Sequence, residues 1–357
     1  MINELVIHLG DTKTGSTSIQ KALVAKAYDI SNKTLIYPTA NNHIGLAKTL
    51  TLKRRFAERE KRFKRVYDVL AKSDANYGVV SAEHFQFVDP VVFDEAIKTY
   101  WPKLRDRIRL VAYVRPHGGK ILSAFAERVK LGNDVETIER FIQTSSEKRM
   151  FDYTERFSKW RDVFGDRFTL RPFIRDELYN RDAIQDFFHF LVGGPEFRIT
   201  EEIAANSSLT VSQLALLRKL HLQIAKHKKD KKGVAKFKEG KGSIGRVMAE
   251  YMRDNPLGQD GEKVKLPASK IDFIKERYAE DAKALDAAFF SGSPMFNDLQ
   301  QIERSATDKP QPLKAGKYFS KEVLQSVDIF SDVLGDIVVN APTSTKKAIS
   351  KSRSGAE

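Results

Sequence analysis

The sequence predicts an α/β protein built on a central, mainly parallel sheet flanked by helices, with a helical C-terminal part. Three observations predict it. Short β-rich apolar runs end abruptly at turn or polar residues, segments with helical spacing lie between them, and the strand pattern stops after Gly193. Short apolar runs of this kind fit strands covered on both faces, as in parallel sheets.

In chain order, strands are expected at Leu5–Leu9, Tyr77–Ser81, Ile108–Val114 and Phe168–Phe173. A helix carrying Ile19 and Leu23 on one side follows the first strand. Tyr153, Phe157, Trp160 and Phe164 form a stripe at steps of three and four that stops at Gly165, which predicts a core-facing helix with a glycine cap. Thr210-Val-Ser-Gln213 has capping-box spacing before a Leu-rich run to His221. Another long helix is expected from about Ser269 to Phe290, and the run from Phe319 to Val339 fits one more. Between these, the Lys- and Gly-rich stretch Lys226–Arg246 has neither a clean apolar stripe nor alternation and reads as a mobile loop. The expected organisation is one domain over residues 1–300, an extension over 301–341 and a tail over 342–357.

A chain of 357 residues with 41% hydrophobic content can bury a substantial core. No run of about 20 apolar residues occurs, so no membrane span is expected. The first strand starts almost at Met1, which leaves no room for a secretory leader. The absence of cysteine excludes disulfides and thiolate metal sites and fits a reducing, cytoplasmic setting. The seven histidines and the carboxylates show no metal-ligand spacing, so no metal is expected. A net charge of +14 favours anionic ligands. It is concentrated at Lys53–Arg65 and Lys226–Arg246, which read either as solvated faces or, for the second run, as a lid over an anion.

The segment Leu5–Leu23 runs from an apolar strand through Gly10 and Gly15 into a helix. That arrangement is an anion site, because unpaired N–H groups and the helix dipole converge on the loop. Gly10 and Gly15 have Walker A spacing and Thr17 holds the place of its last hydroxyl, but position 16 is Ser and the cation is Lys13. A triphosphate-hydrolysing loop needs its lysine after the second glycine. A second constellation follows the strand Ile108–Val114: Arg115 at its end and Ser123 on the next helix, suited to gripping a further phosphate by guanidinium and hydroxyl. Parallel strands bring Lys13 and Arg115 to one sheet edge.

Lys13-Thr14-Gly15-Ser16-Thr17-Ser18, with Arg115 and Ser123, resembles the nucleotide site of the sulfotransferases that use 3′-phosphoadenosine-5′-phosphosulfate. Those families often carry Pro before the lysine, where this chain has Thr12. The run Phe151–Leu178 and the segment Asn206–Thr210 are also similar to bacterial carbohydrate-type members, so the resemblance covers about residues 3–290. It implies a P-loop-like sulfotransferase fold and transfer of a sulfuryl group to a hydroxyl acceptor such as a saccharide. It implies that Lys13 and the N–H groups of Thr14 to Ser18 hold the 5′-phosphate, and that Arg115 and Ser123 hold the 3′-phosphate. The acceptor's proton needs a base, for which Glu83 is favoured over His84, with His43 a third base or acceptor-contact candidate.

Two other readings remain open from the residues. A small-molecule or sugar kinase using ATP and magnesium fits the loop, but the strand ends offer Ser81 and Arg115 in place of a metal-holding Asp. A basic nucleic-acid or polyanion-binding module fits the charge, but no recognition motif accompanies it.

Overall fold

The structure is a computed structural model that describes residues 1–133, 137–203, 208–227, 234–255 and 261–340. Its strands are β1 (Glu4–His8), β2 (Tyr28–Ile30), β3 (Leu35–Ile36), β4 (Tyr77–Ser81), β5 (Ile108–Val114), β6 (Phe168–Pro172), β7 (Phe197–Ile199), β8 (Leu266–Pro267) and β9 (Ala306–Thr307). Its helices begin with α1 (Ser16–Ala25), α2 (Ile44–Thr51), α3 (Arg59–Lys72), α4 (Pro90–Tyr100), α5 (His117–Lys130) and α6 (Ile138–Glu147). They continue with α7 (Thr154–Phe164), α8 (Ala183–Val192), α9 (Val211–Lys226), α10 (Val234–Asp254), α11 (Ile271–Phe289), α12 (Pro294–Gln300) and α13 (Lys321–Asn340). The chain divides into two compact units interleaved in sequence. The first is Met1–Lys120, Phe151–Asn206 and Lys275–Gln301; the second is Ile121–Met150, Ser207–Ile274 and Ile302–Glu357.

The first unit is the predicted parallel sheet, with strand order β3-β4-β1-β5-β6 and every pairing parallel. Side chains alternate between its faces, so Val6, Val79, Val111 and Tyr113 share one of them and pack under α1 and α8 with Ile19, Leu23, Phe187 and Phe188. On the other face the Cα of Gly78 lets Ile2 and Leu70 approach so closely that an added Cβ would lie 2.6 Å from Ile2 and 2.9 Å from Leu70. There Phe157 and Trp160 of α7 stack on Phe168 of β6, which makes the aromatic stripe core as expected. Burying a side chain of this size contributes about 2–3 kcal/mol. Helix α7 ends at Gly165, whose φ of 57° suits a residue without Cβ. Two strands stop one residue short of expectation, at His8 and Pro172, although Leu9 and Phe173 still donate to Val111 and Val114.

In the second unit, Thr210 and Gln213 close the expected capping box, each side chain bonding the other's backbone. The stretch expected as a loop at Lys226–Arg246 is instead helical where it is described, apart from the turn residue His227: α9 extends through Lys226 and α10 begins at Val234, with 228–233 outside the described residues. Phe237, Ile244 and Met248 lie at helical steps and pack with Leu220, Ile224 and Val338. Gly245 serves that packing, because a Cβ there would collide with the carbonyl of Lys130. Helix α13 docks on α9 through Lys219 with Asp328 and His227 with Asp332 and Asp336. The expected tail, 342–357, lies outside the described residues.

Candidate functional site

The loop between β1 and α1 takes a backbone path that few residues permit. Gly10, Lys13 and Gly15 all have positive φ, at 64°, 71° and 75°. An L-residue such as Lys13 adopts that region only when its surroundings enforce it. A Cβ on Gly10 would lie 2.6 Å from the Cα of Glu83, and one on Gly15 would lie 2.8 Å from the Cβ of Ala183. Both glycines are thus required by close approach as well as by torsion. The first of these approaches sets the backbone of Glu83 directly against the loop.

Helix α1 begins with Gly15 as its N-cap, has no side-chain cap and carries no acidic residue in its first turn. The N–H groups of Ser16 and Thr17 therefore start the helix with no carbonyl inside it to receive them. Ser18, expected to offer its N–H, donates it to the carbonyl of Gly15 at 2.9 Å, so only its hydroxyl is left for a ligand. The hydroxyls of Thr14 and Ser16 turn inward onto the carbonyl of Asp11, at 2.8 and 3.4 Å. A hydroxyl has one proton to donate, so these two residues can offer an anion their N–H groups only. Thr17 is exposed.

Three residues that sequence reasoning passed over hold the loop. The carboxylate of Asp11 is fully buried; Oδ1 accepts from Lys120 Nζ at 2.6 Å and from the N–H of Thr12 at 2.7 Å, and Oδ2 accepts from Arg156 Nη2 at 3.1 Å. Burial alone would raise the pKa of Asp11, but the charges of Arg156 and Lys120 overcome it and hold the group below the ordinary carboxylate value. One negative charge is thereby matched by two positive ones, so the carboxylate does not oppose an anion at the loop. A carboxylate inside a loop read as an anion site was the available signal, since once buried it demands a cation. Arg156 lies 145 positions from Asp11 and has no local signature.

Arg115, half-buried at the end of β5, donates from Nη1 to the carbonyl of Lys13 at 3.1 Å. The two expected cation positions are thus brought together. Burial lowers the pKa of Arg115, and Tyr153, whose hydroxyl donates to the Arg115 carbonyl at 2.9 Å, partly offsets that. Ser123 is half-buried on α5, three residues beyond Lys120, and belongs to the second unit.

The base candidates separate. His84 lies in the short helical turn Glu83–Phe87 and bonds Thr51 of α2 through Nε2 at 2.9 Å. Burial and then Lys48 lower its pKa to about 4. His43, the N-cap of α2, is clamped to the end of β4: its N–H donates to the carbonyl of Ser81 at 2.9 Å and its Nδ1 accepts the N–H of Ser81 at 3.1 Å. Because Nδ1 accepts, the proton of this neutral ring sits on Nε2, which is buried and has no hydrogen-bond partner among the described residues. Burial lowers its pKa to about 4. In that tautomer His43 is a donor and cannot take a proton. Beneath it, Ser81 Oγ bonds His8 Nδ1 at 2.8 Å and receives Gln20 Nε2 at 3.0 Å.

Among the described residues, no group of three His, Asp or Glu is placed to hold a metal ion, and no helix is long and apolar enough to cross a membrane. The chain matches no protein-family model and no curated protein. Among solved structures, a sulfotransferase from Alicyclobacillus acidocaldarius superposes with a TM-score of 0.44 at 12% identity, over 83% of this chain and 98% of that one.

Proposed function

We propose that the protein is a sulfotransferase that takes a sulfuryl group from 3′-phosphoadenosine-5′-phosphosulfate and transfers it to a hydroxyl acceptor, a saccharide or glycan. The observation that carries this reading is the bond from Arg115 to the carbonyl of Lys13, within a loop whose φ is positive at Gly10, Lys13 and Gly15. It joins a phosphate loop without a Walker lysine to a half-buried cation suited to a phosphate on the 3′ carbon, which a nucleotide 3′,5′-bisphosphate has and ATP lacks. The donor set fits such a ligand: backbone N–H groups at an uncapped helix start, a lysine and an arginine.

In this reading the donor supplies the sulfuryl group together with a phosphate leaving group. Lys13 and the N–H groups of Thr14 to Thr17 hold the 5′-phosphate and stabilise the charge that develops on it. Arg115 grips the 3′-phosphate, and the sequence resemblance adds Ser123. Glu83, whose backbone abuts Gly10, accepts the proton of the acceptor hydroxyl. His43 donates from Nε2 to an acceptor oxygen and orients it. Positioning and charge stabilisation then carry the reaction, as in phosphoryl transfer.

Thermal unfolding with 3′-phosphoadenosine 5′-phosphate, or with ATP and magnesium, tests the reading. A ligand at 100 times its Kd stabilises by about 2.7 kcal/mol. The bisphosphate is expected to raise Tm and ATP with magnesium to leave it unchanged. A shift with ATP and magnesium alone would point to a kinase and defeat the proposal.

A further inference from the structure

We infer that Lys120 is a positioning residue for the 5′-phosphate, which orients the N–H groups of the loop without touching the nucleotide; the inference rests on the nucleotide reading above. Lys120 stands one turn into α5 and is only 4% exposed. An ammonium group has three donors, and here three acceptors receive them: Asp11 Oδ1 at 2.6 Å, the Thr12 carbonyl at 2.9 Å and Thr12 Oγ1 at 3.0 Å. All three belong to the loop.

The consequence follows from the planarity of the peptide. In a trans peptide the carbonyl and the N–H point in opposite directions. Drawing the Thr12 carbonyl onto Lys120 therefore turns the N–H of Lys13 away from it, and drawing the Lys13 carbonyl onto Arg115 turns the N–H of Thr14 away likewise. Two neighbouring peptides are set by two cations behind them, which gives the successive N–H groups of an anion nest and enforces the positive φ of Lys13. Asp11 makes this possible, because its buried carboxylate, shared with Arg156, keeps Lys120 charged and in place despite the burial that lowers its pKa.

The role separates the two ends of the nucleotide. Arg115 uses one of its donors on the loop and has others for a second phosphate, whereas Lys120 serves the 5′ end alone. Calorimetric titration of the full chain with 3′-phosphoadenosine 5′-phosphate, adenosine 5′-monophosphate and adenosine 3′-monophosphate reads this out. Lys120→Met is expected to weaken the first two by about 10-fold or more and to leave the third within about 2-fold, the effect of losing charge-assisted bonds at one end only. A variant weakened merely by loosened packing would lose all three ligands alike.

Because Lys120→Met leaves Asp11 with one cation fewer, Asp11→Asn combined with Lys120→Met provides a charge-balanced partner. It still lacks the donor to the Thr12 carbonyl and is expected to show the same end-selective loss. Equal weakening of all three ligands, or unchanged affinity for the bisphosphate in both variants, would overturn the role of Lys120. Failure of the unmodified protein to bind the bisphosphate would overturn the nucleotide reading first, and with it this one.

Discussion

The Gly10–Thr17 loop and the turn after β4 stand side by side at the same edge of the sheet, and they are built differently. The loop is held by charge: Lys120, Arg156 and Arg115 grip the side chain of Asp11 and the carbonyls of Thr12 and Lys13 from behind. At the turn, Gly10 packs against Glu83, His84 bonds Thr51 with Lys48 near enough to act on it, and His43 bonds the last residue of β4. In the proposed reading the half that meets a polyanion is cationic before the ligand arrives. The half that meets a hydroxyl in the same reading carries Glu83 and Lys48, and its histidines are kept uncharged by burial, with Lys48 adding to the effect at His84. In that reading the difference matches the different demands of a phosphate and an alcohol.

The comparison breaks most sharply at Lys13. Lys13→Ala is expected to slow release of 3′-phosphoadenosine 5′-phosphate from the donor by about 10³-fold, with a much smaller change in the urea midpoint, because it removes charge from the leaving phosphate and a side chain that is only half-buried. Glu83→Gln comes next, with a loss of about 10²-fold in the same rate and unchanged affinity for the bisphosphate, as removal of a general base on the other half requires. Equal activity of this variant and the parent would move the base elsewhere.

Gly10→Ala joins the two halves in one defect. Its Cβ meets the Cα of Glu83 at 2.6 Å and its φ is 64°, so about 2 kcal/mol of stability should be lost in denaturant titration. Acid then pulls the halves apart. His8 and His43 are buried with pKa values lowered to about 3 and about 4, so the unfolded chain takes up protons near 6.5 that the folded chain refuses. Stability is full above that value and falls as pH drops toward 4, by up to about 1.4 kcal/mol per pH unit for each group. The ion cluster on Asp11, whose pKa is lowered below 3.8, keeps its charges through that window. Urea midpoints at pH 7 and pH 5 measure the fall, and His43→Gln should flatten it. The smallest effect is expected at His84→Ala, below about 3-fold in turnover, since a ring whose pKa is lowered to about 4 and which is tied to Thr51 is a weak base near neutrality.

What could be read in the sequence follows the same division. The strands β1, β4, β5 and β6 and the loop after β1 are local, continuous patterns, and they stood within a residue of their positions. Arg115 was legible because the strand and the arginine are adjacent in the chain. The clamp on Asp11 was not, because Lys120 and Arg156 arrive from other helices and only the fold brings them to one carboxylate. The tautomer of His43 was equally hidden, since it depends on a bond to Ser81 across 38 positions. In the second unit the lysines and glycines of α10 masked a helical stripe at Phe237, Ile244 and Met248, where Gly245 is a spacer for close packing.

The central claim is that one edge of the sheet holds two phosphates, one on the loop and one on Arg115. Calorimetric affinities of the unmodified protein and of Arg115→Ala for 3′-phosphoadenosine 5′-phosphate and adenosine 5′-monophosphate test it most directly. The account predicts that the unmodified protein binds the bisphosphate at least about 10-fold more tightly than the monophosphate, and that the ratio collapses toward one in the variant. Equal affinities in the unmodified protein, or a ratio that survives the loss of Arg115, would contradict it.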